Sequence, residues 1–175
     1  MAKKQIVGLI GLGDMGSGMA KNLINKGFQT YGFDLSPQRL AAFRELGGNC
    51  VADPLEMGSL VDVVFIMVMN GGQVEDVIFG NRGLIHSMQP SSGIVVTATI
   101  KASEIRSVAK QMEGSKIQLI DSPVSGGFPG AQGGTLTMMA AGSEDSLNQF
   151  APVMGAISKT IHRVGSEAGM GQTVK

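Results

Sequence analysis

The chain has 175 residues, of which 43% are hydrophobic and 16% charged, and 14 acidic residues balance 14 basic ones. This composition excludes an intrinsically disordered chain, and the zero net charge argues against a dedicated nucleic-acid binder. A single cysteine excludes an internal disulfide and indicates a reducing compartment. Because the longest apolar run, residues 63–69, is far shorter than the ~20 residues of a membrane span, we expect a cytoplasmic protein without a membrane partner.

Short β-branched runs alternate with longer amphipathic stretches along the chain, which is typical of a parallel sheet with crossover helices. Strands are predicted over residues 5–10, 28–34, 63–69, 94–96, 117–121 and 136–141. Helices are predicted after residue 16, from Pro37, from Pro54, over residues 105–112, and after Ser143 with a break at Pro152. The pattern predicts one α/β domain over residues 1–175, with a doubly wound, mostly parallel sheet and helices on both faces.

A glycine motif, GLGDMG at residues 11–16, joins the first predicted strand to the first predicted helix. In a dinucleotide-binding turn the first glycine permits the tight turn, the second lets the backbone approach a pyrophosphate, and the third lets the helix pack on the strand. The alternative is a purely structural strand-to-helix turn. The context favours a Rossmann-type fold, with cofactor contacts from Gly11, Leu12, Gly13, Asp14, Met15 and Gly16.

Asp34 ends the second predicted strand, close to the ~20-residue offset at which a carboxylate accepts hydrogen bonds from the adenosine ribose. A helix-capping aspartate is the alternative. We predict NAD rather than NADP as the cofactor, because this carboxylate would repel a 2′-phosphate. Arg39, nearby on a predicted helix, is more typical of a solvated charge than of a phosphate clamp.

Four segments in order carry a resemblance that covers nearly the whole chain. They are GLGDMG with the following SGMAKNL (residues 11–23), DSPVSGG (121–127), GTLTMMAAG (134–142) and GMGQTVK (169–175). With them the chain resembles the β-hydroxyacid dehydrogenase family, which includes 3-hydroxyisobutyrate, tartronate semialdehyde and L-threonate enzymes and is related to 6-phosphogluconate dehydrogenase. The resemblance is to the N-terminal, NAD-binding domain of this family.

The resemblance implies roles for several residues. Lys175 matches the family's catalytic lysine, which exchanges a proton with the substrate hydroxyl and needs a pKa lowered from ~10.4 for that task. A loop matches the one that binds the substrate carboxylate, through a hydroxyl and glycine N–H groups: Ser125, Gly126 and Gly127. Three further residues match positions around the cofactor: Met69 (where the family often has proline), Asn70 and Thr99.

The resemblance implies an NAD-dependent oxidoreductase that transfers a hydride between the nicotinamide and a small β-hydroxyacid or aldonate of the threonate, 3-hydroxyisobutyrate or glycerate type. Two alternatives stay open: a non-catalytic module that binds a dinucleotide or a protein, and a decarboxylating dehydrogenase of the 6-phosphogluconate type. The retained Lys175 argues against the first, and the lack of a basic cluster argues against the second. No metal site is predicted, because His86 and His162 have no ligand-like spacing.

In the family, the chain continues beyond the lysine into an all-helical domain that builds the dimer. Because the 175 residues end at Lys175, we expect the helical domain to be absent from this chain. We therefore expect Lys175 to lie on a fraying terminus and the 175-residue chain to be inactive by itself. A homo-oligomer is expected for a longer form.

Overall fold

The sheet of the computed structural model, which describes residues 3–175, is built on parallel strands. These strands are β1 (Val7–Ile10), β2 (Thr30–Phe33), β3 (Asn49–Cys50), β4 (Val63–Ile66), β5 (Gly93–Val96) and β6 (Gln118–Asp121). They lie side by side in the order β3-β2-β1-β4-β5-β6, and every neighbouring pair is parallel. The strand order reverses direction at β1, as in a Rossmann fold.

Three more strands extend the sheet beyond β6. They are β7 (Val124–Ser125), β8 (Leu136–Ala141) and β9 (Ser158–Gly165). β8 is antiparallel to β6 and β7 and parallel to β9. The sheet is therefore mostly parallel, and the predicted Rossmann-type α/β fold is confirmed.

Helices connect the strands, and several of them begin at side-chain caps. They are α1 (Asp14–Asn25), α2 (Pro37–Glu45), α3 (Pro54–Gly58), α4 (Gly71–Phe79), α5 (Ala102–Gln111), α6 (Gly127–Gly133), α7 (Glu144–Gln149), α8 (Ala151–Ile157) and α9 (Met170–Val174), with a 3₁₀ turn at Leu84–His86. The side chains of Ser36 and Asp53 accept N–H bonds at the starts of α2 and α3, each before a proline, as their sequences predict. The predicted break at Pro152 separates α7 from α8.

Two apolar clusters cover the two faces of the sheet. Alternate residues of a strand point to opposite faces, so Val63 and Phe65 lie in one cluster and Val64 and Ile66 in the other. α1 and α8 cover the first face, and α4 and α5 cover the second. Burial on both faces explains why the central strands read as continuous apolar runs.

The structure differs from the sequence prediction at several elements. Residues 67–69, predicted as strand, leave the sheet after Ile66 and lead into α4, which was not predicted. The prediction also missed α6 and the edge strand β9. The sequence of β9 contains lysine, histidine and arginine and therefore lacks the apolar pattern that predicts a strand. None of the helices formed by residues 3–175 has the length and apolar character that crossing a bilayer requires.

Candidate active site

A cavity of about 790 Å³ opens at the carboxyl ends of β1, β2 and β4. This is the crevice where the strand order of the sheet reverses, the usual ligand position in open α/β sheets. Of the residues predicted to contact a cofactor, eight line it: Gly11, Gly13, Asp14, Met15, Gly16, Asp34, Met69 and Asn70. Two predicted residues do not: the Leu12 side chain is buried in the core, and Thr99 is exposed beyond β5.

The three glycines of the motif differ in whether the fold requires glycine at their positions. Gly11 has φ +96°, and a Cβ there would lie 2.0 Å from the Met67 carbonyl oxygen. A Cβ at Gly16 would lie 1.7 Å from the Gly11 carbonyl oxygen. The fold itself therefore requires both. At Gly13 the nearest atoms to a Cβ would be those of the Arg39 guanidinium, at an ordinary distance of 3.6 Å, so the fold alone does not require glycine at this position.

The start of α1 faces the cavity with its backbone. Gly13 is the N-cap residue, and among residues 3–175 no side chain caps this helix end. The first N–H groups of a 12-residue helix and its positive dipole end therefore point at the same space that Gly13 leaves open. This arrangement suits an anion such as a diphosphate.

Asp34 ties the glycine loop to the end of β2. One of its carboxylate oxygens accepts the Leu12 N–H at 2.8 Å, and the other accepts the Ser36 N–H at 2.8 Å. Ser36, not Asp34, caps α2. The Arg39 guanidinium lies 3.6 Å from the Asp34 carboxylate and lines the cavity, with 56% of its side chain exposed to solvent.

Two apolar side chains stand in the cavity almost fully exposed. Leu35, which follows β2, is 87% exposed, and Met69, which follows β4, is 85% exposed. Next to Met69, the Asn70 side chain caps α4 by accepting the Gln73 N–H at 2.9 Å. Exposed apolar side chains in a cavity are available to contact the flat rings of a ligand.

The predicted substrate loop lies at the start of α6, outside this cavity. Ser125, Gly126 and Gly127 are exposed, and both glycines have positive φ, +130° and +58°. α1 fixes the following helix, because the Asn22 Nδ2 donates to the carbonyl oxygens of Ala131 at 2.9 Å and Gln132 at 3.0 Å. The segment SGMAKNL therefore links the glycine motif to the predicted substrate loop.

Lys175 follows α9, which packs on β6, β8 and α5. Its side chain is exposed, and its N–H donates to the Gly171 carbonyl oxygen at 3.2 Å. Before it, Gly169 and Gln172 are hydrogen-bonded to the buried Asp121, and fraying at Lys175 itself stays a prediction. Across residues 3–175, no three His, Cys, Asp or Glu side chains are grouped to hold a metal ion.

A family model for the NAD binding domain of 6-phosphogluconate dehydrogenase matches residues 6–165. The chain belongs to this family. The match covers both the glycine motif with its cavity and the later segment that contains the predicted substrate loop. The resemblance of the sequence to this NAD-binding domain is therefore confirmed.

Relatives and solved structures of this NAD-binding family agree with that assignment. An L-threonate dehydrogenase of Escherichia coli O6:H1 is 35% identical over 97% of this chain and 56% of its own length. A 2-(hydroxymethyl)glutarate dehydrogenase of Eubacterium barkeri is 35% identical over 100% of this chain and 58% of its own. A crystal structure of 3-hydroxyisobutyrate dehydrogenase from Salmonella typhimurium superposes with a TM-score of 0.92 at 35% identity, over 98% of this chain and 60% of that one. The chain thus spans little more than half the length of these relatives.

Proposed function

We propose that this chain is the cofactor-binding part of an NAD-dependent oxidoreductase that transfers a hydride between the nicotinamide and a small β-hydroxyacid or aldonate. The observation that carries the proposal is Gly13, a glycine that the fold does not need and whose missing side chain keeps the start of α1 open to a ligand. The names of the relatives, which are dehydrogenases of L-threonate, 2-(hydroxymethyl)glutarate and 3-hydroxyisobutyrate, support the substrate class.

The residues of the cavity suit NAD. We assign the diphosphate to the N–H groups at Gly13 and the start of α1, since backbone donors and the helix dipole favour it there. The Asp34 carboxylate stands where ribose hydroxyls would donate to it, and it disfavours a 2′-phosphate by like charge. Leu35 and Met69 would contact the rings.

The chemistry divides between the cofactor and the chain. NAD, when bound, supplies a nicotinamide that accepts or returns the hydride. We assign the proton transfer to Lys175. Its neutral amine takes the proton of the substrate hydroxyl during oxidation, and the ammonium returns it during reduction. Ser125, Gly126 and Gly127 are assigned to the substrate carboxylate, which a hydroxyl and two N–H groups would hold. Thr99 and Leu12 stay as predicted neighbours of the cofactor.

The organisation of the protein follows the same proposal. We assign the whole chain to one dinucleotide-binding domain, since one continuous sheet runs through the described residues. A cytoplasmic location, and a homo-oligomer for a longer form, stay predictions.

A pair of glycine substitutions tests cofactor binding. Gly13→Ala should weaken NAD binding about tenfold or more in calorimetric titration, because a methyl group would stand between the helix start and the diphosphate. Gly155→Ala is the matched control: a Cβ there meets nothing within 4 Å, and α8 lies away from the cavity. Equal NAD affinity in wild type and Gly13→Ala would show that the diphosphate does not bind at this position.

A substrate panel tests the reaction. The protein that contains this chain is incubated with NAD and L-threonate, 3-hydroxyisobutyrate, glycerate or 6-phosphogluconate, and NADH is followed by absorbance. Reduction of NAD by one of the first three supports the proposal. Reduction by 6-phosphogluconate alone would favour a decarboxylating enzyme, and NAD binding without reduction by any acid would favour a non-catalytic module.

A further inference from the structure

We infer that Asp121 and Gln172 are positioning residues, which together hold α9, and thereby Lys175, against the carboxyl ends of β5 and β6. This inference deepens the proposed function, because it rests on the proposed role of Lys175. Neither residue lines the cofactor cavity. What they share is a hydrogen-bond network that joins two strand ends to the last helix.

Asp121 is the centre of the network. It is the last residue of β6 and is fully buried, with 0% of its surface exposed. One carboxylate oxygen accepts the N–H groups of Gly169 at 2.8 Å and Gln172 at 3.2 Å, and the other accepts the Gln172 side-chain Nε2 at 3.0 Å. Burial raises the pKa of Asp121 against the opposing effect of these N–H donors.

Gln172 extends the network to the end of β5. Its Oε1 accepts the Ile100 N–H at 3.0 Å, and its Nε2 donates both to the Ala98 carbonyl oxygen at 3.0 Å and to Asp121. These partners fix the orientation of the amide, because a flipped amide would set oxygen against oxygen at Ala98 and Asp121. One side chain on α9 is therefore bonded to both neighbouring strand ends.

Two glycines let the helix approach this closely. A Cβ at Gly171 would lie 2.6 Å from the Asp121 carbonyl oxygen and 2.7 Å from the Met139 carbonyl oxygen, so α9 rests directly on the backbone of β6 and β8. Gly169 has φ +100°, a conformation that favours glycine and turns its N–H towards Asp121. Gly169, Gly171 and Gln172 of the segment GMGQ thus each have a docking role, and the Met170 side chain packs on Gly165 of β9.

The donor set specifies a carboxylate at residue 121. All three groups that face it are N–H donors, so an asparagine in its place would turn its own NH₂ group against at least one of them. Lys175 stands three residues after Gln172, one turn along the same helical segment, and its N–H is bonded to Gly171. Loss of the hydrogen bonds of Gln172 would therefore make the backbone at Lys175 more mobile.

Hydrogen exchange in the 175-residue chain tests the docking without any activity. Asp121→Asn and Gln172→Met should each accelerate amide exchange at residues 169–175 by about 10- to 100-fold. This factor corresponds to the loss of the stabilisation that hydrogen bonds to a charged group provide. Exchange in β1 should not change. Asp145→Asn, the same substitution at an exposed position of α7, is the control. Unchanged exchange at residues 169–175 in Gln172→Met, which keeps the buried carboxylate and is expected to fold, would overturn the inference.

Kinetics of the protein that contains this chain test the consequence. Asp121→Asn and Gln172→Met should lower kcat at least tenfold and leave the KM for NAD unchanged, the pattern also expected for Lys175→Ala. An unchanged kcat despite faster exchange of α9 would overturn the positioning role. If the wild type oxidises no hydroxyacid while α9 shows the expected protection, the proposed function fails and the docking stands.

Discussion

The two halves of the chain hold their functional residues by different means. In the N-terminal half, residues 3–100, two helices beside the cavity are capped by side chains close in the chain: Asn70 caps α4 by accepting an N–H three residues on, and Ser36 does the same for α2. In the C-terminal half, residues 101–175, the predicted substrate loop and Lys175 depend on distant partners. Asp121 reaches Gly169 across 48 residues, and Asn22 reaches Ala131 across 109. The difference predicts that cofactor binding and catalysis respond to separate substitutions.

The largest expected effect separates the halves by function. In the protein that contains this chain, Lys175→Ala should lower kcat for hydroxyacid oxidation by about 10²–10⁴-fold, the usual contribution of a general acid or base. NAD affinity should stay within about twofold, because Lys175 does not line the cofactor cavity. Steady-state kinetics and calorimetric titration on the same preparation give both quantities. Wild-type turnover in Lys175→Ala would show that the lysine does not transfer the proton.

A second expected effect lies wholly in the N-terminal half. NAD should bind more tightly than NADP, because a 2′-phosphate near Asp34 would meet like-charge repulsion of roughly 1–4 kcal/mol. The Arg39 guanidinium, 3.6 Å from Asp34, partly offsets this repulsion. Arg39→Ala should therefore widen the preference for NAD. Calorimetric titration with both cofactors decides the point, and equal or tighter NADP binding by the wild type would contradict it.

The same difference between the halves explains what could be predicted from sequence. The glycine motif, the caps at Ser36 and Asp53 and the apolar central strands can each be recognised from residues close together in the chain, so the fold class and most of the cavity follow from local patterns. α4 carried a local signal that was missed, an asparagine cap followed by Val74 and Ile78 on one face. The docking of α9 had none, because nothing near Asp121 indicates that its partners are Gly169 and Gln172.

The contact between α1 and α6 joins the halves and gives a smaller expected effect. A Cβ at Gly18 would lie 2.7–2.9 Å from backbone atoms of Ala131 and Gln132. Gly18→Ala should therefore lower the free energy of unfolding by about 1–3 kcal/mol, the usual cost of overpacking. Gly155→Ala, in open space on α8, should raise it by about 0.5–1 kcal/mol. Chemical denaturation measures both, and a neutral Gly18→Ala would mean that α6 moves away freely.

The smallest expected effect compares one carboxylate from each half. Arg82 and the Glu56 N–H hold the pKa of Asp53 below its ordinary value of 3.8. Its contribution to stability is therefore present above 3.8 and is lost as the pH falls through the lowered pKa. Burial raises the pKa of Asp121 above 3.8, so its contribution is present below 3.8 and is lost as the pH rises through the raised pKa.

The two aspartates should therefore give slopes of opposite sign. We expect the unfolding free energy of the wild type minus that of Asp53→Asn to increase as the pH rises towards 3.8, and the same difference for Asp121→Asn to decrease as the pH rises above 3.8. The hydrogen bonds that Asp121→Asn removes shift the whole curve but do not change the sign of its slope. The Asp53 slope should be the shallower, because water and salt screen its exposed arginine partner. Denaturant titrations at several pH values measure both slopes. Two slopes of the same sign would mean that the carboxylate under α9 is stabilised as an anion, like the surface pair, rather than opposed by burial.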